Sequence, residues 1–200
     1  MNNFQDLKNY IQDNSNLISR TKSMLLAVEA IEKRFSGQSI NIVETGTQRT
    51  DSHGGDGCST SVWARIVKLL PGSHLWTVDL SAENIENCKI FTKDFSENIT
   101  YVVGDSVEFL QRFDKPIHFL YLDSYDTGYD AEMRLACQHQ LKEAESSIDK
   151  LLENSIILSD DAPDLVSGKV AYSVPFLLEK GFKVLWNNVE LGQVALSKIE

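Results

Sequence analysis

Short apolar runs alternate along this chain with segments whose apolar positions recur every three to four residues. Seven runs read as strands: Ser39–Glu44, His74–Asp79, Ile99–Val103, Ile117–Asp123, Ser155–Asp160, Phe182–Trp186 and Gln193–Ser197. Helical spacing links Leu17, Thr21, Met24, Val28, Ile31 and Phe35, with Gly37 placed to end that helix. It also links Val62, Ile66, Leu69 and Leu70 after Ser59-Thr60, and Cys137, Leu141, Ala144, Ile148 and Leu151 on a helix starting near Asp130. Strands this apolar, separated by amphipathic helices, predict a parallel sheet covered on both faces. The last two runs lie too close together for a helix between them and predict an antiparallel hairpin. The expected fold is therefore α/β: a Rossmann-like, doubly wound, mostly parallel seven-stranded sheet with a C-terminal antiparallel hairpin. Residues 1–38 read as a helical segment that caps the cleft or contacts a second subunit, and 39–200 as the main domain.

Composition changes this picture little. Apolar residues make up 42% of the 200 and charged residues 24%, a globular balance. The formal charge of −10 speaks against a nonspecific binder of nucleic acid or anionic membrane, which needs clustered cations. No uninterrupted apolar stretch approaches the roughly 18 residues of a membrane span, and the first residues lack the order of a signal peptide. Cys58, Cys88 and Cys137 are odd in number and scattered, as in a reducing compartment. A cytoplasmic protein is expected.

Charge placement is more informative. Glu44, Asp79, Asp123 and Asp160 each end a strand, and in an open parallel sheet those ends converge on the ligand-binding edge. Val43-Glu44-Thr45-Gly46-Thr47 leads into a polar loop closed by Gly54-Gly55-Asp56-Gly57-Cys58-Ser59-Thr60. Such a loop lets backbone N–H groups approach a ligand, and Glu44 suits a cationic amine better than a pyrophosphate. Asp79 can accept from two vicinal ribose hydroxyls or cap the next helix at Ser81. Asp105 can accept from a purine amine beside Ser106, and its spacing to Glu108 is also that of a helix cap.

Asp123, Asp160 and Asp161 bring like charges together, which costs stability. A hard divalent cation would relieve it, as would Lys169 or Arg134; the aspartates of 160–161 can also simply open the turn that Pro163 stiffens. His139 falls opposite the apolar stripe of its helix and reads as a surface residue, Tyr121 and Trp186 as core, and the cysteines as packing.

In order and spacing, these pieces resemble class I S-adenosylmethionine-dependent methyltransferases over about residues 38 to 199. The resemblance implies cofactor contacts at Glu44, Gly46, Thr47, Ser59, Thr60, Asp79, Leu80, Asp105, Ser106 and Asp123. Asp123 with Asp160-Asp161 is similar to metal-dependent small-molecule O-methyltransferases of the macrocin and novobiocin type. That likeness implies Mg²⁺ or another hard cation on Asp123, Asp160 and Asp161, and a hydroxylated acceptor such as a sugar or glycosylated metabolite. Asp161 stands where the catechol type carries Asn, and no lysine follows Asp123 closely. The implied catalytic residues are Asp123, with Asp126 or Tyr125 receiving the proton. A homodimer is a further expectation. Other readings of the scaffold are a cofactor-binding protein with a metal-independent role, an iron-dependent hydroxylase-like enzyme, which would need histidine at the rim, and a non-enzymatic module.

Overall fold

A computed structural model describes residues 3–17, 20–51, 58–126, 131–188 and 192–199. The seven strands are β1 (Asn41–Thr45), β2 (His74–Asp79), β3 (Ile99–Val103), β4 (Ile117–Leu122), β5 (Leu151–Ser159), β6 (Lys183–Asn188) and β7 (Gln193–Ser197). They form one sheet in the order β3-β2-β1-β4-β5-β7-β6. The first five strands are mutually parallel, and β7 runs antiparallel to both β5 and β6. This is the expected architecture, closing hairpin included.

The helices are α1 (Phe4–Asp13), α2 (Thr21–Phe35), α3 (Ser59–Leu69), α4 (Ala82–Phe91), α5 (Ser106–Arg112), α6 (Ala131–Ser147) and α7 (Ser173–Glu179). The sequence reading draws no stripe for α1, which lies within the 1–38 segment read as helical and begins where the Asn3 side chain accepts from the Asp6 N–H at 2.9 Å. Leu17 lies in a short turn before α2, so the stripe drawn through it joins two elements. Gly37, at φ 76°, follows α2 in the left-handed conformation expected of a helix terminator.

Side chains alternate across the sheet and build two apolar layers. On one face, Ile42, Phe119, Tyr121, Ile156 and Leu158 pack against α1, α2 and α3 through residues such as Leu7, Met24, Ile31 and Trp63. On the other, Val43, Leu120, Leu122 and Ile157 meet Ala144 of α6 and Val174 and Leu177 of α7. Register fixes the carboxyl edge: Asp123 N–H donates to Thr45 O, Asp160 N–H to Leu122 O, and Gly46 N–H to Val78 O. The chain thus leaves β1, β4 and β5 at one level. No helix among the described residues is long and apolar enough to cross a membrane.

Candidate functional site

A cleft of about 980 Å³ opens along that edge. Asp79, Asp123, Asp160 and Asp161 all line it, together with Gly46, Thr47, Ser59, Leu80, Ser106, Tyr125 and Asp126. The convergence of strand-end acids expected from the sequence is therefore met by three of the four strand ends.

Glu44 is the exception. It is fully buried and does not line the cleft. It has the parity of Ile42 in β1, so its side chain faces α3 instead of the mouth. Ser59 Oγ donates to its Oε1 at 2.6 Å, while Thr60 and Thr77 hydroxyls donate to Oε2 at 2.6 and 2.8 Å. Glu44 thus anchors the first turn of α3 and does not meet a ligand amine directly. Thr60 is likewise buried behind the cleft, where its hydroxyl also accepts from Gln48 N–H at 2.9 Å. The intervening glycines Gly54, Gly55 and Gly57 lie outside the described residues, as does His53.

Gly46 is required by contact as well as by conformation. At φ 79°, a Cβ here would stand 2.4 Å from the Asp123 carbonyl oxygen. The β1 turn therefore presses directly on the chain leaving β4. At the end of β2, Asp79 Oδ1 accepts from Ser81 N–H at 2.8 Å and Asn84 Nδ2 at 3.1 Å, which fixes the carboxylate at the rim. Leu80 beside it is 70% exposed, an apolar surface inside a polar cleft. Asp105 takes the capping role: its Oδ1 accepts from Glu108 N–H at 2.9 Å. Ser106 lines the cleft but points its hydroxyl toward α6.

His139 corrects the sequence reading. It lines the cleft, and its ring packs 5.5 Å from that of Tyr125. The buried face of α6 carries Ala136, Gln140, Glu143, Ala144 and Ser147, so His139 lies beside the packed face, not opposite it. Glu143 is buried, and its Oε1 accepts from Ser106 and Ser124 hydroxyls. Since Ser106 gives its one proton to Glu143, the 2.8 Å contact from His139 Nε2 must be a donation by the imidazole. Burial lowers the His139 pKa, but hydrogen bonding and charge from Glu143 outweigh it and the net shift is upward.

At the other end of the cleft, the aspartate trio is held by cations. Arg20 Nε donates to Asp160 Oδ2 at 2.6 Å. Lys169 Nζ lies 3.1 Å from Asp123 Oδ1, 2.9 Å from Asp161 Oδ2 and 3.1 Å from Ser124 O. Tyr121 is buried as expected, but its hydroxyl reaches the site, 3.0 Å from Asp160 Oδ2 and 3.3 Å from Asp123 Oδ2. Burial, then the charge of Asp160, push the Asp123 carboxyl well above its ordinary range against the pull of Lys169 and Arg20. Burial would lower both cations, yet the neighbouring acids raise them, so both stay charged.

These contacts do not fit the expected metal on Asp123, Asp160 and Asp161. One oxygen of each aspartate is already committed to a guanidinium or an ammonium, and Asp160 Oδ1 and Asp123 Oδ2 accept from Asp161 N–H and the Tyr121 hydroxyl. Among the described residues, no group of three His, Cys, Asp or Glu is placed to hold an ion. Of the alternatives open in the sequence, Lys169 is the neutralising residue, joined by Arg20, which nothing in the local pattern marks. Asp126 stands 83% exposed at the rim, paired with Arg49 at 3.1 Å, and Tyr125 is 41% exposed at φ 65°.

A search of curated protein sequences gives no match. Solved structures of the same fold include an O-methyltransferase from Bacillus cereus in complex with SAH: 14% identity over 98% of this chain and 89% of that one, TM-score 0.59. The SAH-bound methyltransferase PaMTH1 of Podospora anserina is 14% identical over 97% of this chain and 86% of its own, TM-score 0.58. The calicheamicin methyltransferase CalS11 is 11% identical over 98% and 91%, TM-score 0.60. A family model described as a methyltransferase domain matches residues 53–162, more than half of the chain. With that match and this sheet order, the chain belongs to the methyltransferase-domain family and carries the class I, S-adenosylmethionine-dependent methyltransferase fold.

Proposed function

We propose that the protein is an S-adenosylmethionine-dependent O-methyltransferase whose acceptor is a hydroxylated small molecule, such as a sugar or glycosylated metabolite. The observation that carries this reading is the two-ended cleft. Gly46, Ser59, Asp79 and Leu80 lie at the end built for a nucleoside, and Asp123 stands among Asp160, Asp161, Lys169 and Tyr121 at the other. The excess of acids over cations along it disfavours a polyanionic acceptor.

When bound, S-adenosylmethionine supplies a methyl group already activated by a sulfonium, so positioning is the main task left to the protein. Asp79, oriented through Ser81 and Asn84, offers a carboxylate to vicinal hydroxyls of a ribose. Leu80 covers a flat base. Asp105 is left with its cap and one further oxygen for a purine amine. Gly46 and Thr47 allow close approach of the β1 turn, and Ser59, tied to Glu44, keeps the α3 terminus in place. Asp123 would receive the acceptor's hydroxyl proton. Its upward-shifted pKa suits that work. Tyr125 and Asp126 border the acceptor at the rim.

Calorimetry with S-adenosylmethionine, followed by methyl transfer to a panel of hydroxylated acceptors, tests this reading. Asp79→Ala is expected to weaken cofactor binding about 10- to 100-fold, the loss of a charge-assisted pair of hydrogen bonds. Asp123→Asn is expected to keep cofactor binding and lose turnover. Absence of cofactor binding in the wild type would refute the assignment.

A further inference from the structure

We propose that the Lys169 ammonium, backed by Arg20, occupies the place of a divalent ion. The acceptor end is then closed by the chain's own cations, and methyl transfer runs without metal. The statement about transfer rests on the function proposed above; the statement about the ion does not.

Three observations carry it. First, Lys169 is 2% exposed and its three N–H donors have three oxygen partners, at 2.9 to 3.1 Å: Asp161 Oδ2, Asp123 Oδ1 and Ser124 O. An ammonium so placed is saturated, and it stands between the carboxylates an ion would have to bridge at about 2.0–2.6 Å. Second, Asp160 is turned away from that point: its Oδ2 faces Arg20 at 2.6 Å and Tyr121 at 3.0 Å, and its Oδ1 accepts from Asp161 N–H at 3.0 Å. Three carboxylates against two cations leave about one negative charge, so a further dication would over-neutralise a desolvated corner.

Third, the backbone is shaped to deliver the lysine. Gly168 takes φ 65°, and a Cβ there would meet Asp161 O at 2.2 Å and Pro163 Cδ at 2.4 Å. Lys169 N–H donates to the same Asp161 oxygen at 3.0 Å, and Cys137 Sγ holds Gly168 O at 2.9 Å. The segment from Asp161 to Lys169 thus folds back on itself so that the ammonium returns to the acid that opened the turn. Lys169 is a positioning residue: it fixes Asp123, and Asp123 meets the acceptor. An acceptor subsite built this way orients a single hydroxyl and has no need of a chelating diol.

The test is titration of Mn²⁺ into the full chain without cofactor or acceptor, with free Mn²⁺ followed by electron paramagnetic resonance. The wild type is expected to take up no Mn²⁺. Lys169→Ala is expected to bind it with an affinity at least about tenfold above the wild-type detection limit, and Lys169→Arg, which keeps the charge, to remain inert. Should Lys169→Ala fail to fold, Lys169→Gln is titrated in its place. Mn²⁺ uptake by the wild type, or variants without the charge that are as inert as the wild type, would overturn the proposal. A parallel arm measures methyl transfer in EDTA, where undiminished turnover is expected and its loss would also refute the metal-free route. Failure of S-adenosylmethionine to bind would sink the functional reading while leaving the Mn²⁺ result intact.

Discussion

Arg20 and Asp160, 140 positions apart in the chain, meet at 2.6 Å on the floor of the cleft. The Asp160 side chain is buried at 3% exposure and that of Arg20 is largely so at 12%. Arg20→Met should cost about 3–5 kcal/mol, because it removes one partner of a largely buried ion pair. Arg20→Met combined with Asp160→Asn should recover a large part of that loss. Urea denaturation of the two single variants and the double variant measures the coupling; additive losses would show that the pair is energetically silent.

Gly46 and Gly37 separate clash from conformation. Both have positive φ, 79° and 76°, but a Cβ at Gly37 meets nothing within 4 Å. Gly37→Ala should cost about 1–2 kcal/mol. Gly46→Ala should cost more and also weaken cofactor binding, since relieving the contact moves the backbone of Asp123. Denaturation midpoints and calorimetry on the two variants give the comparison.

Glu44→Gln should destabilise the protein by about 1–3 kcal/mol. Three hydroxyls donate to the carboxylate, and an amide NH₂ in its place turns a donor toward at least one of them. Cofactor affinity should fall along with the melting temperature, since Ser59 loses its anchor. Unchanged stability would mean that the hydroxyls rearrange freely.

His139 has a folded-state pKa raised above 6.5 by Glu143, in spite of its burial. A raised pKa on a base stabilises the fold fully below pH 6.5, and the contribution disappears as pH rises through the folded value. Melting temperature in the wild type should therefore decline over that interval more steeply than in His139→Gln. Parallel pH profiles of the two proteins would expose an error in this assignment.

The parts of this fold that follow from periodicity were open to reading. Seven apolar runs mark seven strands, and the residue at or just past the end of each parallel strand must emerge at one edge, which places Asp79, Asp123 and Asp160 together. Glu44 was misplaced although parity would have served: Ile42 and Glu44 share a face, and Ile42 is core. His139 was misplaced for a different reason. Its helix is packed through Gln140 and Glu143 as well as Ala136, Cys137 and Ala144, so the buried face is partly polar and is rotated from the stripe drawn through Leu141, Ile148 and Leu151, the last two of which lie beyond the helix. Arg20 carried no signal at all, because its partner lies on a strand end formed by distant sequence. Lys169 stood only as one alternative to a metal, since charge alone does not tell which cation comes close.

The corner that holds Asp160 and Asp161 is fixed from both directions along the chain. Arg20 reaches it from before α2, and Ala162 N–H donates to Gly192 O at 2.6 Å, just ahead of the strand that slots between β5 and β6. During synthesis, then, a nascent chain can pair β1, β2, β3 and β4 well before it can complete this corner. Such long-range closure is slow. The end of the cleft around Gly46 and Asp79 is therefore expected to mature first, and the corner of Asp160 and Asp161 is completed only when residues 192–197 have been made and paired.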